Sequence, residues 1–322
     1  MSCRLPAVEP ILSDLIVRPA GAEIAEPTVS VVTVCLNPIR DGRQQLLARN
    51  LDSVQMQTGI SVEHVIIDGA SADGTMAFLT HYDNRCHPLR ILSMADNGIY
   101  DAMNRGIALA RGKYVTFLNS DDFYHLNDGL ALSVKALEET GCGFSFAPIL
   151  PSGSRFLHHL HRHPERHLHR ILVFPTIPHQ SMLYRRTVLL SEDGYDSSYR
   201  MGGDHELTLR LIASGHKGCF VGNAFVTFAS GGFSTQNASL KLQEKMRRVG
   251  KFHRDRFGAN MTEAEVKTLV TRYRYPRRLL SLYVASQRLL AKAFVGLPQG
   301  AWSHVLRHFN FWKYYFKCLL SC

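Results

Sequence analysis

Hydrophobic and polar positions along the first third of the chain follow two periods in turn. Val29 to Leu36 (Val-Ser-Val-Val-Thr-Val-Cys-Leu) is a β-branched run of strand length, and Gln44 to Gln57 behind it spaces its apolar residues at helical intervals. The succession returns: Val62 to Ile67 reads as a strand, Leu89 to Ser93 as another, Ala102 to Arg111 as a helix and Tyr114 to Leu118 as a further buried strand. Strands alternating with helices predict an α/β fold with a mostly parallel sheet flanked by helices. Beyond about Gly141 the pattern blurs, although Asp204 to Ser214 and Ser239 to Phe257 read as helices. From Tyr273 onward the pattern predicts basic amphipathic helices broken at Pro276 and Pro298.

In such a sheet, ligands bind in the crevice beyond the carboxyl ends of the strands. The first strand runs out at Asn37, the second at Asp68, and the strand after the Ala102 helix at Asn119-Ser120-Asp121-Asp122. Two adjacent carboxylates at the end of a buried strand are costly unless a cation compensates them. Mg²⁺ or Mn²⁺ chelated by a nucleoside diphosphate would do so, because hard cations take oxygen ligands and neutralise a departing diphosphate. A helix cap or turn is the other reading of the tetrapeptide.

Its neighbours narrow the choice. Val65-Ile66-Ile67-Asp68-Gly69-Ala70-Ser71-Ala72-Asp73-Gly74-Thr75, then Asp96-Asn97-Gly98-Ile99-Tyr100-Asp101-Ala102-Met103-Asn104-Arg105-Gly106, then the Asp pair, resemble glycosyltransferase family 2 in content and order. The second block is similar to that of bacterial exopolysaccharide transferases of the colanic-acid kind. The resemblance continues through His179-Gln180, Gly203-Asp204 and Ser230-Gly231-Gly232-Phe233-Ser234-Thr235, and covers residues 28–236.

The resemblance implies a GT-A, Rossmann-like catalytic domain over 28–236, with a nucleotide-binding half at 28–125 and an acceptor half at 126–236. A tail at 1–27 and a basic helical extension at 237–322 would flank it. It further implies that Thr33 to Asn37 and Asp68 hold the nucleotide base, with Asn97 in the same group, and that Asp121 faces the ribose or the metal. Asp122 would be the principal metal ligand, since Asn119 stands where many relatives carry an acid. His179 would lie beside the diphosphate, and Asp204 would deprotonate the acceptor hydroxyl, with Glu206 in reserve. Taken by itself Asp204 is an ordinary N-cap, and Arg105 and Arg200 are solvated cations within reach of phosphate. The implied reaction is a single in-line displacement, hence inverting, from a UDP- or GDP-linked sugar to a saccharide or lipid-linked saccharide acceptor.

Composition changes this picture at three places. The seven cysteines are scattered with no C-x-x-C pair, which fits a reducing compartment. The N-terminus lacks a basic start followed by an apolar run, and no apolar stretch of membrane-spanning length follows, so a cytoplasmic location is expected. The formal net charge of +10 is uneven: Val266 to Cys322 holds ten Lys or Arg and no Asp or Glu. Basic amphipathic helices with aromatics can lie on an anionic membrane surface, there reaching a lipid-linked acceptor, or can pack on the catalytic domain or a second subunit.

Other classes predict other features. Nucleic acid is not an expected partner, because no helix-turn-helix, zinc-finger or RNA-recognition signature accompanies the charge. A dinucleotide-dependent oxidoreductase predicts Gly-x-Gly-x-x-Gly where Cys35-Leu36-Asn37-Pro38-Ile39-Arg40 stands. A catalytically inactive binding protein on the same scaffold, or a basic nucleic-acid-binding module, is the alternative function. The six histidines between His158 and His169 lack the Cys partners or His-Glu spacing of zinc sites and read as an acceptor-side loop.

Overall fold

The computed structural model describes residues 5–6, 15–19, 26–151, 163–229, 237–276 and 280–297. At its centre β2 (Val29–Cys35) and β3 (Val62–Asp68) are buried along their whole lengths. Both faces of the sheet are covered there, which is why these strands read as continuous β-branched runs and not as alternating ones. Val32 and Val34 pack with Met103 and Ile107 of α3 (Ile99–Leu109). Val29 and Val31 pack on the other side with Leu130 and Leu137 of α4 (Gly129–Thr140).

Among the described residues nine strands form the main sheet. β4 (Leu89–Ser93), β3, β2 and β5 (Tyr114–Phe117) are mutually parallel in that order. β9 (Leu183–Arg185) runs antiparallel between β5 and β7 (Phe144–Phe146), and β10 (Gly218–Phe220) continues parallel to β7. A small second sheet joins β6 (Phe123–Tyr124), β11 (Val226–Phe228) and β8 (Ile149–Pro151). The expected α/β, mostly parallel architecture is what the chain adopts. Inside the segment read as a tail, β1 (Leu15–Arg18) adds an antiparallel edge strand to β4.

The remaining helices are α1 (Gln44–Gln55), α2 (Thr75–His81), α5 (Arg186–Ser191), α6 (Gly203–Ala213), α7 (Ala238–Phe257), α8 (Glu263–Arg272) and α9 (Leu280–Ala293). The last three belong to the predicted basic extension. They enclose a core of their own around Val249, Leu269, Val270 and Tyr283, and Val173 of the preceding region enters it. β12 (Phe294–Val295) then pairs with β10, so the described part of the extension is built into the main sheet. Among the described residues no helix is long and apolar enough to cross a membrane.

Candidate active site

The loop after β3 is held by its own acids. Asp68 is fully buried, and its carboxylate accepts hydrogen bonds from Ser71 N (2.9 Å), Ser71 Oγ (2.5 Å) and Ser93 Oγ (2.6 Å). The Cys35 thiol donates to it at 3.6 Å. Asn37, in left-handed backbone at φ 47°, accepts from Ala72 N at 2.9 Å and donates its own N–H to Ser71 Oγ at 2.7 Å. Burial is the largest single influence on Asp73 and raises it, but Asp73 accepts from Thr75 N, Thr75 Oγ1 and Arg40 N (3.1, 2.5 and 2.8 Å), and these bonds to its charged form together bring it down to about 2. Asn37 and Asp68 thus lie at the strand ends, as expected, but tie the loops after β2 and β3 together.

Thr33 requires a correction. Its side chain is fully buried, with Oγ1 within 2.9 Å of His64 Nε2 and donating to Asn50 Oδ1 at 3.3 Å. A strand covered on both faces has no solvent side, so Thr33 faces core and not a nucleotide. Asn50 extends the network upward: its amide donates to the backbone carbonyls of Asn119 and Asp122, each at 2.9 Å, and shapes the turn that carries the acid pair.

The second motif ties α3 to the loop before α6. Asp96 accepts from Gly98 N at 2.8 Å, while its other oxygen lies over Gly69, where a Cβ would come within 2.8 Å of it and 3.3 Å of Leu36. Leu36 is 56% exposed, so Leu36, Gly69 and Asp96 form an open patch. Asn97 is exposed and donates its backbone N–H to Asp101 at the start of α3 (3.0 Å). Asn104 takes both backbone groups of Tyr195, each at 2.8 Å, and a Cβ at Gly106 would collide with Val32. Arg105 pairs with Asp101 at 3.0 Å and donates to Met94 O, so it is committed to the scaffold. Arg200 is exposed and lies over Gly98, 3.4 Å from where a Cβ would stand.

The acid pair is in a different condition. Asp122 is fully buried; it accepts from Ala229 N (2.9 Å), from Asn119 Nδ2 (3.1 Å) and from Gln180. Burial and then the charge of Asp121 push it well above its ordinary range, and those donors only partly oppose the rise. Asp121 is also pushed up by burial, with the Arg43 guanidinium, 2.8 Å away, pulling it back. Among the described residues one cation, Arg43, faces two desolvated carboxylates. That donor set fits a divalent ion held by one or two carboxylates and completed by the substrate's phosphate oxygens. Among the described residues no group of three His, Cys, Asp or Glu could hold a metal without such help.

Asp204 sits in the first turn of α6, half-buried, after Gly202 in left-handed backbone at φ 75°. The Tyr100 hydroxyl donates to its Oδ1 at 3.3 Å. Burial pushes its carboxyl up, but His179, Arg248 and His205 together outweigh that and hold it below its ordinary value. His179 is half-buried and its Nδ1 has no hydrogen-bond partner; burial lowers its pKa, against the pull of Asp204. Glu206 is occupied by Arg210 at 2.9 Å and 3.0 Å. His179 and Gln180 are consecutive on one 3₁₀ turn (His179–Ser181), so a single turn faces Asp204 with one residue and bonds Asp122 with the next.

Sequence reasoning missed Asp96, Arg43, Tyr100, Glu244 and Arg248. Asp96 and Tyr100 stood inside a quoted motif. Glu244 and Arg248 carried no local signal, since α7 meets Asp204's loop only in the folded chain. The Ser230-Gly231-Gly232-Phe233-Ser234-Thr235 motif, and His158, His159 and His161 of the histidine run, lie outside the described residues. Trp302 and the aromatic residues after it do so as well.

Residues 30–193 match the model of Glycosyl transferase family 2. A PGL/p-HBAD biosynthesis glycosyltransferase of Mycobacterium bovis is 30% identical over 206 residues, which is 63% of this chain and 74% of the relative. Staphylococcus aureus TarS, solved with UDP-GlcNAc, has a similar fold with a TM-score of 0.56 at 14% identity, covering 85% of this chain and 82% of that one. The mannosyltransferase PcManGT of Pyrobaculum calidifontis, solved with GDP-Man and Mn²⁺, has a TM-score of 0.56 at 17% identity over 96% of this chain and 88% of that one.

Proposed function

This chain belongs to glycosyl transferase family 2, and from that premise we propose that it moves a sugar, with inversion, from a nucleotide-sugar donor to a saccharide or lipid-linked saccharide acceptor of a cell-surface glycan. The observation that carries the reading is the turn His179–Ser181, which links the burdened acid Asp122 to the ionised acid Asp204. A glycosyl displacement needs a charge-neutralising centre at the leaving diphosphate and a base at the attacking hydroxyl. The two acids supply one of these each.

Asp204, ionised and partly open, accepts the proton of the acceptor hydroxyl as its oxygen bonds to the anomeric carbon and the bond to the diphosphate breaks. Tyr100 orients the carboxylate by its hydrogen bond. Asp122, with Asp121 beside it, would hold Mg²⁺ or Mn²⁺, which supplies charge stabilisation to the departing nucleoside diphosphate. His179, with its unpartnered Nδ1, is suited to bond a phosphate or hydroxyl near Asp204. The patch of Leu36, Gly69 and Asp96 suits a planar base better than Asp68, whose oxygens are already occupied. A UDP or GDP donor is consistent with the ligands of the two similar structures.

A place at the cytoplasmic face of a membrane fits the basic extension. Between α7 and α9 lies a cleft of about 640 Å³ where Arg256, Arg288 and Lys292 stand around Phe257, Val284 and Leu289. Cations around an apolar floor suit an anionic amphiphile or a lipid surface. The deciding experiment is a panel of nucleotide sugars assayed by diphosphate release with a lipid-linked saccharide acceptor, with and without Mn²⁺. Release from at least one donor, dependent on the ion, is expected; silence toward every donor in the presence of the ion would overturn the reading.

A further inference from the structure

The helix that shapes the site around Asp204 lies beyond residues 30–193, the region the family model matches. Glu244 of α7, itself buried, accepts the backbone N–H groups of Arg200 and Met201 at 2.8 and 2.6 Å, fixing the loop that leads into α6. One turn later Arg248 is 5% exposed and donates from Nε to His205 Nδ1 at 3.0 Å. His205 therefore carries its proton on Nε2, which donates to Ile171 O at 2.6 Å. The Arg248 guanidinium lies flat against Gly202: a Cβ there would stand 2.6 Å from Nη1, 2.7 Å from Cζ and 3.0 Å from Nη2. A buried cation thus lies against Gly202, two residues before Asp204, and bonds His205, the residue after it.

We propose that Arg248 is a positioning residue of the transfer reaction, holding the Asp204 carboxylate ionised and aimed from a helix outside the matched region. The proposal rests on the reading of Asp204 as the base. No salt-bridge partner lies within 4.0 Å of Arg248 among the described residues, and the carboxylates whose fields reach it are Asp204 and Glu244. Around Asp204 stand Tyr100 from α3, His179 from the 3₁₀ turn, Tyr184 from β9, Tyr195 from the loop before α6, His205 from α6 and Arg248 from α7. The tyrosines are pushed up by burial and stay neutral, and burial keeps His205 neutral at about 3, so Arg248 is the group there with a permanent positive charge. Burial alone would protonate Asp204 more readily than a free carboxyl; His179 and the guanidinium, with His205, reverse that, and of these the guanidinium keeps its charge at every working pH.

The experiment is the pH profile of kcat/KM for the acceptor in the whole protein, for the unaltered chain, R248K and R248Q, with donor affinity measured by calorimetry. R248Q is expected to move the acid limb upward by about one pH unit or more, as loss of an adjacent cation does, with donor affinity within about twofold. R248K keeps the charge and is expected to keep the acid limb while losing rate. A fall in rate with an unmoved acid limb in R248Q would make Arg248 merely structural, and donor affinity falling in step with rate would make it a diphosphate ligand. Either outcome overturns the proposal. Should R248Q not fold, R248K decides alone: an acid limb displaced by a full unit despite the retained charge overturns it. D204N separates the two readings, because full turnover in that variant removes the base itself whatever Arg248 does.

Discussion

Two regions of this molecule present aspartates at the mouth of the same sheet, and they differ in what their own chain does for them. Beyond β3, Asp68 is met by two serine hydroxyls, a backbone N–H and a thiol, all supplied within the fold. Beyond β5, Asp121 and Asp122 are desolvated by more than Arg43, Ala229 N, Asn119 and Gln180 offset, and at the start of α6 Asp204 has one hydroxyl donor, Tyr100, and keeps its charge through His179, Arg248 and His205. A buried carboxylate with every acceptor site filled is a staple. One left with burial incompletely compensated, as in the pair, or compensated in part by the fields of nearby charges, as for Asp204, is poised for a cation or a proton, which is how functional sites come to hold perturbed groups. Position at a strand end does not separate the two; the inventory of donors does.

The comparison breaks first at Asp204. D204N keeps the shape of the carboxyl and removes its basicity, and its expected effect is a loss of turnover on the order of 10²- to 10⁴-fold with donor affinity held within about twofold. Initial rates and calorimetry measure the two quantities. A variant that turns over at the normal rate would move Asp204 into the class of staples.

The next break is at the pair. D122N leaves the hydrogen bond from Ala229 N intact but removes the charge, and transfer is expected to fall on the order of 10²-fold while the concentration of Mn²⁺ needed for half-maximal rate rises. Titration of rate with Mn²⁺ tests this. An ion dependence identical to that of the unaltered protein would place the metal elsewhere.

For Asp68 the inverse is expected: D68A orphans several buried donors at once and should cost on the order of 3 kcal/mol of stability, read by denaturant unfolding. Activity of the folded fraction should stay within about tenfold. If D68A unfolds like the unaltered chain yet loses the donor, the carboxylate is a ligand after all and the contrast collapses.

Much of this was legible in the residues, and the illegible part has a common cause. Strands β2 to β5 and the helices α1, α3, α6 and α7 follow from local periodicity, and the acid-bearing turns follow from where the strands stop. Thr33 takes its expected role from the resemblance alone, and a strand buried on both faces has no alternation that could have shown its side chain to face the core. For Asp68 the resemblance implies a base ligand, and one of the partners that fill its carboxylate, Ser93, lies 25 residues away on β4 where no local pattern shows it. Arg248 carries no signal in the sequence, for its neighbours Gly202 and His205 reach it only through the packing of α7 on α6. What pairs a polar group is long-range, and periodicity carries no long-range information. Helix α4 is a different case: Leu130, Ser133 and Leu137 repeat at helical spacing, a local signal that was present and went unread.

The smallest expected effect concerns histidine, where the same contrast recurs. His179 is half-buried beside Asp204, whereas His64 is fully buried under the strand ends against Thr33, and burial, with His87 adding to it, lowers His64 to about 3. A histidine held neutral in the fold takes up a proton on unfolding once the pH drops below its free value of 6.5, so the unfolded state binds more protons between 6.5 and about 3. Stability contributed by His64 is therefore complete above 6.5 and is lost as pH falls through that window, at about 1.4 kcal/mol per pH unit. H64Q, whose amide can still bond Thr33, should flatten the acid side of the stability profile by that slope and leave turnover near neutral pH within about twofold. Denaturant unfolding at pH 5 and pH 7 measures it, and an unchanged slope would mean that His64 is hydrated, or protonated in the fold, and belongs with the uncompensated groups.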